Sequence, residues 1–434
     1  MLGVEKTVVE GVDFDGVAGA VVVSVRPAAR ARSRCGVCGR RCAGYDGGAG
    51  RRRWRALDVG LVPMFIEADA PRVRCPDDGV VVAAVPWARH GAGHTHGFDD
   101  TIAWLAIRTS KSAVCELMRI AWRTVGAIVA RVWADADETA DRFAGLRRLG
   151  IDEISYKKGH KYLTVVVDHD SGALVWAAPG RDAATLRRFF DLLGPDRCAQ
   201  ITHVSADAAA WIAKVVAERC ANAVRCADPF HVVAWATAAL DKVRRGAWNR
   251  DRAKAAPRKR FATRGRPKAG TGNELDPARE RARTIKGGRW ALLRNPHNLT
   301  DKQAATLRWI ELNDSALYRA YLLEESLRLI FTLPHPEAAA ELDRWIGWAR
   351  RCRIPEFVAL QKSIVTHKDS ILAAIEHGLS NGLVESVNTK IRLLTRVAFG
   401  FRSPDALIAL AMLSLGDHQP ELPGRNHPHP AVAA

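Results

Sequence analysis

Apolar positions along the chain change their period several times, and each change predicts a different kind of structure. Residues 1–88 alternate short Val-rich runs, Val21 to Val25 and Val80 to Val85, with clusters of Gly and Arg, a pattern of small strands around tight turns. From Phe98 to Val132 apolar residues recur at spacings of three and four: Ile102, Leu105, Ala106, Val114, Leu117 and Met118, then Val125, Ile128, Val129 and Val132. Three short helices follow from that period. Thr109-Ser110 can cap a helix beginning at Lys111, and Arg119-Ile120-Ala121 makes a turn before a helix from Trp122. These are the proportions of a helix-turn-helix. Arg119, Arg123 and Arg131 would then face a DNA groove or its phosphates, whereas an ordinary helical hairpin would leave them as surface charge.

The period shortens again over residues 141–245. Leu149–Tyr156, Tyr162–Asp168 and Ala173–Ala178 read as a meander of three strands. After it come a helix capped by Asp182, a strand at Ile201–Ser205, a helix after Asp207, a strand at Ala223–Cys226 and a helix from Phe230. The order β-β-β-α-β-α-β-α matches the ribonuclease H-like fold, a mixed sheet with helices on both faces. Arg244 to Arg294 is dense in Arg and Lys and poor in apolar residues. Within it Arg264, Arg266 and Lys268 of an Arg-Gly-Arg-Pro-Lys run could lie in a minor groove or belong to a solvated linker. From Gln303 to about Glu376 the helical period returns, with Trp309, Trp345, Trp348 and Phe357 on apolar stripes that read as core.

The expected molecule is therefore a multidomain α/β chain. A zinc-ribbon-like DNA-binding segment spans 1–88 and a helix-turn-helix 89–140. The ribonuclease H-like catalytic sheet begins over 141–245, a basic linker and all-helical insertion interrupt it over 246–375, closing helices occupy 376–418, and a tail runs over 419–434.

Charge narrows the partners. The 65 Lys and Arg exceed the 47 Asp and Glu by 18 among 434 residues, a surplus that attracts polyphosphates, so nucleic acid or an acidic membrane surface is indicated. No uninterrupted apolar run approaches the roughly 18 residues a membrane span needs, and the N-terminus lacks the pattern of a secretory signal. Nine scattered Cys suit a reducing cytoplasm better than a disulfide framework. Cys35 and Cys38 form a CxxC knuckle able to hold one tetrahedral zinc. Cys75 with Asp78, or Cys42, would complete the set, while unliganded thiols are the alternative. His90, His94 and His96 are further candidates in a Gly-rich loop.

The chemistry is expected where three distant acids converge. Asp152 lies on the first strand of the meander, Asp207 just past the fourth strand, and Glu385 on a late helix. In the ribonuclease H-like order the first strand is central and neighbours the fourth. The two Asp would then meet at one sheet edge, with a C-terminal helix packed across. Such a cluster of carboxylates presupposes cations, because two divalent ions about 3.5–4 Å apart need hard anionic oxygens. On the late helix Glu385, Asn388, Thr389, Arg392 and Arg396 fall within an arc of about 100°, and Val384, Val387, Ile391, Leu394 and Ala398 cover the other side. The arginines suit phosphate oxygens, although a surface helix with Glu385 paired to its neighbours would give the same pattern. Among rival acids, strand alternation turns Glu153 to the face opposite Asp152, and Asp168 and Asp170 sit at a turn. Asp228, with His231 in Asp-Pro-Phe-His, follows the fifth strand at the same edge and is a rival or auxiliary group.

Three stretches carry a family resemblance: Leu149-Gly-Ile-Asp-Glu-Ile-Ser-Tyr-Lys-Lys-Gly-His-Lys-Tyr162, Ala227-Asp-Pro-Phe-His-Val232, and Asn381-Gly-Leu-Val-Glu-Ser-Val-Asn-Thr-Lys-Ile-Arg392 with Ala398-Phe-Gly-Phe-Arg402. Together they resemble the transposases of ISL-three-type insertion sequences, over nearly the whole chain. The resemblance implies a DDE transposase with the triad on Asp152, Asp207 and Glu385. It also implies two Mg²⁺ ions (or Mn²⁺), action on terminal inverted repeats and target DNA, and a homodimer or larger assembly on DNA. A non-catalytic DNA-binding regulator and a structure-selective nuclease on the same fold are the rival readings. The sequence departs from the family at Asp78, which stands where a Cys-x-x-His pair usually ends, and around Asp207, where Met and Tyr are missing.

Overall fold

The computed structural model describes residues 5–255 and 276–423. Strands β1 (Thr7–Asp15), β2 (Ala20–Pro27), β3 (Ala43–Asp46), β4 (Arg51–Val59), β5 (Val62–Asp69), β6 (Arg72–Cys75) and β7 (Gly79–Val82) divide into two small sheets. One has the order β1-β2-β5-β4, the other β3-β6-β7. Trp54 meets Trp87 edge to face at 5.5 Å, and both are buried with Val23, Val25 and Ile66. Helices α1 (His96–Ala106), α2 (Lys111–Met118) and α3 (Trp122–Thr139) follow, with Thr95 capping the first and Ser110 the second, the latter as the sequence predicts. Arg119 takes a left-handed conformation, φ 55°, which ends α2 and turns the chain into α3.

The central sheet has the order β10-β9-β8-β11-β12, built from β8 (Arg148–Lys157), β9 (Lys161–Asp168), β10 (Leu174–Pro179), β11 (His203–Ala206) and β12 (Val224–Ala227). The first three strands are antiparallel neighbours, and β8, β11 and β12 run parallel. With β8 central and beside β11, this is the ribonuclease H-like arrangement. Helices α4 (Ala183–Leu193), α5 (Pro195–Cys198) and α6 (Ala210–Arg219) connect the later strands. Leu149, Ile151, Val166 and Val204 pack with Leu186, Phe189 and Ile212 on the face of α4 and α6.

After β12 the chain leaves the sheet through α7 (Pro229–Lys254), which runs on without a break past residue 245. Arg264, Arg266 and Lys268 lie outside the described residues. Helices α8 (Pro277–Gly287), α9 (Arg289–Leu293), α10 (Asp301–Asn313), α11 (Ser315–Ile330), α12 (His335–Arg351), α13 (Pro355–Thr366) and α14 (Lys368–His377) then share one core with α7. Trp345 belongs to that core and donates Nε1–H to the Leu323 carbonyl at 2.8 Å. The chain returns as α15 (Gly382–Val397) and α16 (Pro404–Leu415). Val384, Val387, Ile391, Leu407 and Met412 cover the second face of the sheet over Ile154, Leu163 and Val165. Leu410 and Leu413 of α16 also enter the core of α1–α3, so one helix ties the helix-turn-helix to the sheet.

Candidate catalytic site and metal centres

Strand register builds the site. Ala206 of β11 lies opposite Ile151 of β8 and Ala227 of β12, so Asp152, Asp207 and Asp228 are the next residues along three parallel strands. Their carboxyl ends are where open α/β sheets gather ligands. Oxygens of Asp152, Glu153 and Asp207 all lie within 4.8 Å of one another, and a second group joins Asp207 and Asp228 with His231.

Glu153 corrects the expectation from alternation. Although β8 pairs with β9 as far as Lys157, its pairing with β11 ends at Ile151. Beyond that fork the Glu153 carboxylate, nearly buried and 3.6 Å from Arg181 Nε, gathers with those of Asp152 and Asp207. Asp152 bends over its own strand, accepting the Glu153 backbone N–H at 2.7 Å. Burial, together with the charges of Asp207 and Glu153, pushes the Asp152 carboxyl up to about 7 against that hydrogen bond.

His231 Nδ1 lies 2.6 Å from Asp207 Oδ1 and 2.8 Å from Asp228 Oδ2, and those contacts push the imidazole up to about 10. It is a cation between two carboxylates at neutral pH. Asp228 is occupied structurally. One of its oxygens caps α7 by accepting the His231 backbone N–H, and the other accepts the Asn381 backbone N–H at 3.2 Å. Burial raises its carboxyl, but the bonds from His231 and Asn381 outweigh this and hold it below the ordinary value.

Asn381 is the residue whose part the sequence did not disclose. It is buried, accepts Ser205 Oγ–H at 2.6 Å on its side-chain oxygen, and donates Nδ2–H to the Ile151 carbonyl at 3.3 Å. Ser205 is in turn 2.7 Å from His169 Nε2. An Asn ahead of a helix reads as an N-cap, yet its side chain makes no cap bond and instead fixes the start of α15 to β8 and β11. Two turns on, Asn388 donates Nδ2–H to Asp152 Oδ2 at 2.7 Å. Glu385 stands one turn before Asn388 on the same helix face, half-buried, and belongs to no group of ligand atoms among the described residues. Arg392 and Arg396 are exposed further along.

Among the described residues, Asn388 Oδ1 is buried with no hydrogen-bond donor, while Glu153 Oε1 faces the Arg181 guanidinium at 3.6 Å and Asp207 Oδ1 faces His231 at 2.6 Å. Carboxylate oxygens gathered this closely, beside a buried amide oxygen without a donor, fit hard divalent cations.

In the N-terminal segment, Cys35, Cys38, Cys75 and Asp78 bring their ligand atoms within 4.8 Å of one another. Cys35 Sγ and Cys75 Sγ are 3.2 and 3.3 Å from Asp78 Oδ2, and Cys38 Sγ is 3.5 Å from Cys75 Sγ. Those spacings suit one tetrahedral zinc, for which a carboxylate is an accepted fourth ligand. Cys42 is not in the group and bonds the Arg40 carbonyl instead.

The expected DNA-facing arginines divide. Arg123 is exposed on the first turn of α3. Arg119 pairs with Asp58 and donates to the Leu61 carbonyl, linking the turn to β4 and the chain before β5. Arg131 clasps buried Asp99 at two points, 2.9 and 3.1 Å, and so braces α3 against α1. His94 stacks on Phe98.

A ribonuclease H-like sheet behind small DNA-binding modules places the chain among nucleic-acid-processing proteins. A family model described as a transposase matches residues 149–411. The helix-turn-helix domain of transposase family ISL3 matches 83–133, and the zinc-finger of transposase IS204/IS1001/IS1096/IS1165 matches 31–78. The chain belongs to the ISL3 family of transposases. It is 63% identical, over its whole length and 98% of the relative, to the transposase for insertion sequence element IS1557 of Mycobacterium tuberculosis. It is also 26% identical, over 86% of each chain, to the transposase for insertion sequence element IS1001 of Bordetella parapertussis. No helix among the described residues is long and apolar enough to cross a membrane.

Proposed function

We propose that this transposase grips the ends of its insertion sequence with the zinc segment and helix-turn-helix, and cuts and joins DNA strands by phosphoryl transfer at Asp152, Asp207 and Glu385. The observation that carries this reading is the row of acids at the ends of β8, β11 and β12, with oxygens of Asp152, Glu153 and Asp207 within 4.8 Å of one another. Asp152, Asp207 and Glu385, joined by Glu153, would hold two Mg²⁺ or Mn²⁺ ions. When bound, these supply activation of a water or 3′-hydroxyl and stabilisation of the departing oxygen.

The protein's own part is to place those oxygens. Asn388 orients Asp152, Asn381 and Asp228 fix the helix that carries Glu385, and His231 holds Asp207 beside Asp152. Arg392 and Arg396, exposed along the same helix, would take phosphate oxygens of the strand being cut. Action on two ends calls for at least two copies on DNA, and a DNA substrate with nine free cysteines agrees with the cytoplasm.

Strand cleavage and joining on labelled duplexes bearing the element's ends test the reading. Asp152→Asn and Glu385→Gln should each lower cleavage by more than about 100-fold while duplex binding persists. Normal cleavage by either variant would overturn the assignment. Hydrolysis without joining would instead identify a nuclease, and repression that survives both substitutions without any cleavage by the unaltered protein would identify a regulator.

A further inference from the structure

Between the first turn of α3, the end of β8 and the loop joining α15 to α16 lies an open cleft of about 800 Å³. It lies apart from the acids described above. Lys111, Arg123, Lys157 and Arg402 line it, no carboxylate does, and none of the four has an ion-pair partner among the described residues. Elsewhere in the chain arginines are commonly paired, as at Arg89, Arg119 and Arg131, so four uncompensated cations in one concavity mark a place for an anion.

Lys111 is the strongest of these marks. It is only 7% exposed, yet its ammonium has no hydrogen-bond acceptor among the described residues; it lies over the rings of Trp122 and Phe401 at 5.6 and 5.2 Å. Two of the rings at the cleft are left to solvent. Trp122 is 45% exposed, and Phe399, held at φ 55° by the turn that ends α15, is 87% exposed. A left-handed conformation is unfavourable for a bulky residue and here sets the most exposed Phe among the described residues at a basic cleft.

We propose that this cleft receives an unpaired nucleotide of the DNA substrate, the base stacking on Phe399 and Trp122 and the phosphates meeting Lys111, Arg123, Lys157 and Arg402. A cationic groove interleaved with exposed rings is the chemistry that holds single-stranded nucleic acid without reading its sequence. Duplex DNA keeps its base faces stacked and could use only the charges. Tyr156, on its wall, follows Asp152 by four residues of β8, about 13 Å along the strand, so a nucleotide there sits within a few nucleotides of the carboxylates. The inference rests on the chain acting on DNA.

Fluorescence anisotropy with the full-length protein tests it, using a blunt duplex and the same duplex with a short single-stranded overhang carrying 2-aminopurine. The unaltered protein should bind the overhang duplex roughly five- to one-hundred-fold more tightly and quench the 2-aminopurine. Phe399→Ala, at an exposed position that leaves packing intact, should remove that preference and the quenching while blunt-duplex affinity stays unchanged, and Phe399→Trp should retain both. Equal affinity for the two DNAs, or a preference that survives Phe399→Ala, would overturn the inference and leave the transposase reading standing. Failure to bind either DNA would overturn both.

Discussion

Asp182 shows how a single side chain sets both a boundary and a pH response. It precedes α4 and accepts the Thr185 backbone N–H at 2.8 Å, satisfying one of the donors that a helix start leaves open. That bond and the neighbouring amides hold its carboxyl below the ordinary 3.8. A depressed folded value means that the ionised form stabilises the fold. The contribution is present above pH 3.8 and fades as pH falls through the lower folded value. Asp182→Ala should therefore cost about 1 kcal/mol at neutral pH, and the gap between the two proteins in urea denaturation should narrow below about pH 4. A gap that stays constant down to pH 2 would rule out the charge as its source. The cap was legible in the sequence because it depends on residues three apart. Glu153 was not, because its direction depends on where β11 stops pairing with β8, a long-range fact that strand alternation does not contain.

Among elements, α15 lies close against the central sheet. Gly150 of β8 lets it approach: a Cβ there would stand 2.3 Å from Val384 Cγ2 and 3.0 Å from His169 Nε2. Neither neighbour can yield freely, since Val384 is buried and His169 is bonded to Ser205. Gly150→Ala should push α15 off the sheet, destabilise the protein by about 1–3 kcal/mol and separate Asn388 from Asp152. Strand cleavage should fall far more than duplex binding, which uses other surfaces. Equal loss of both in parallel assays would show that α15 does not position the acids. The amphipathic pattern of α15 was readable from its own residues, and so was the strand order around β8. What escaped was the attachment. Asn381 pairs with Ser205 and Ile151, about 180 and 230 positions away, and no local period reports such a contact. Likewise α7 continues through Lys254 because Ala247 packs inward and Arg244 bonds Asp241, although the composition there turns strongly basic.

At the scale of the whole molecule, DNA grip and DNA chemistry are joined by a short chain of contacts. The cluster of candidate zinc ligands gathers Cys35 and Cys38 with Cys75 and Asp78, β4 pairs with β5, and Arg119 carries the connection from Asp58 and Leu61 into the turn before α3. Helix α16 then links α3 to the central sheet. Loss of zinc should thus act at a distance, weakening duplex binding before it harms the catalytic sheet. Purified protein should contain one zinc per chain by mass spectrometry. Chelation should open residues 31–53, rich in arginine, to trypsin, and lower duplex affinity while residues 148–227 stay protected from hydrogen exchange. Asp78→Ala should reproduce the effect. Asp78→His, which supplies nitrogen in place of carboxylate oxygen, should keep the metal, because zinc accepts either donor in a tetrahedral site with three thiolates. Protein purified without zinc, with Cys35, Cys38 and Cys75 reacting freely with thiol reagents and duplex affinity unaltered by chelators, would show that Asp78 joins these thiols by hydrogen bonding alone and that the metal has no part in the grip.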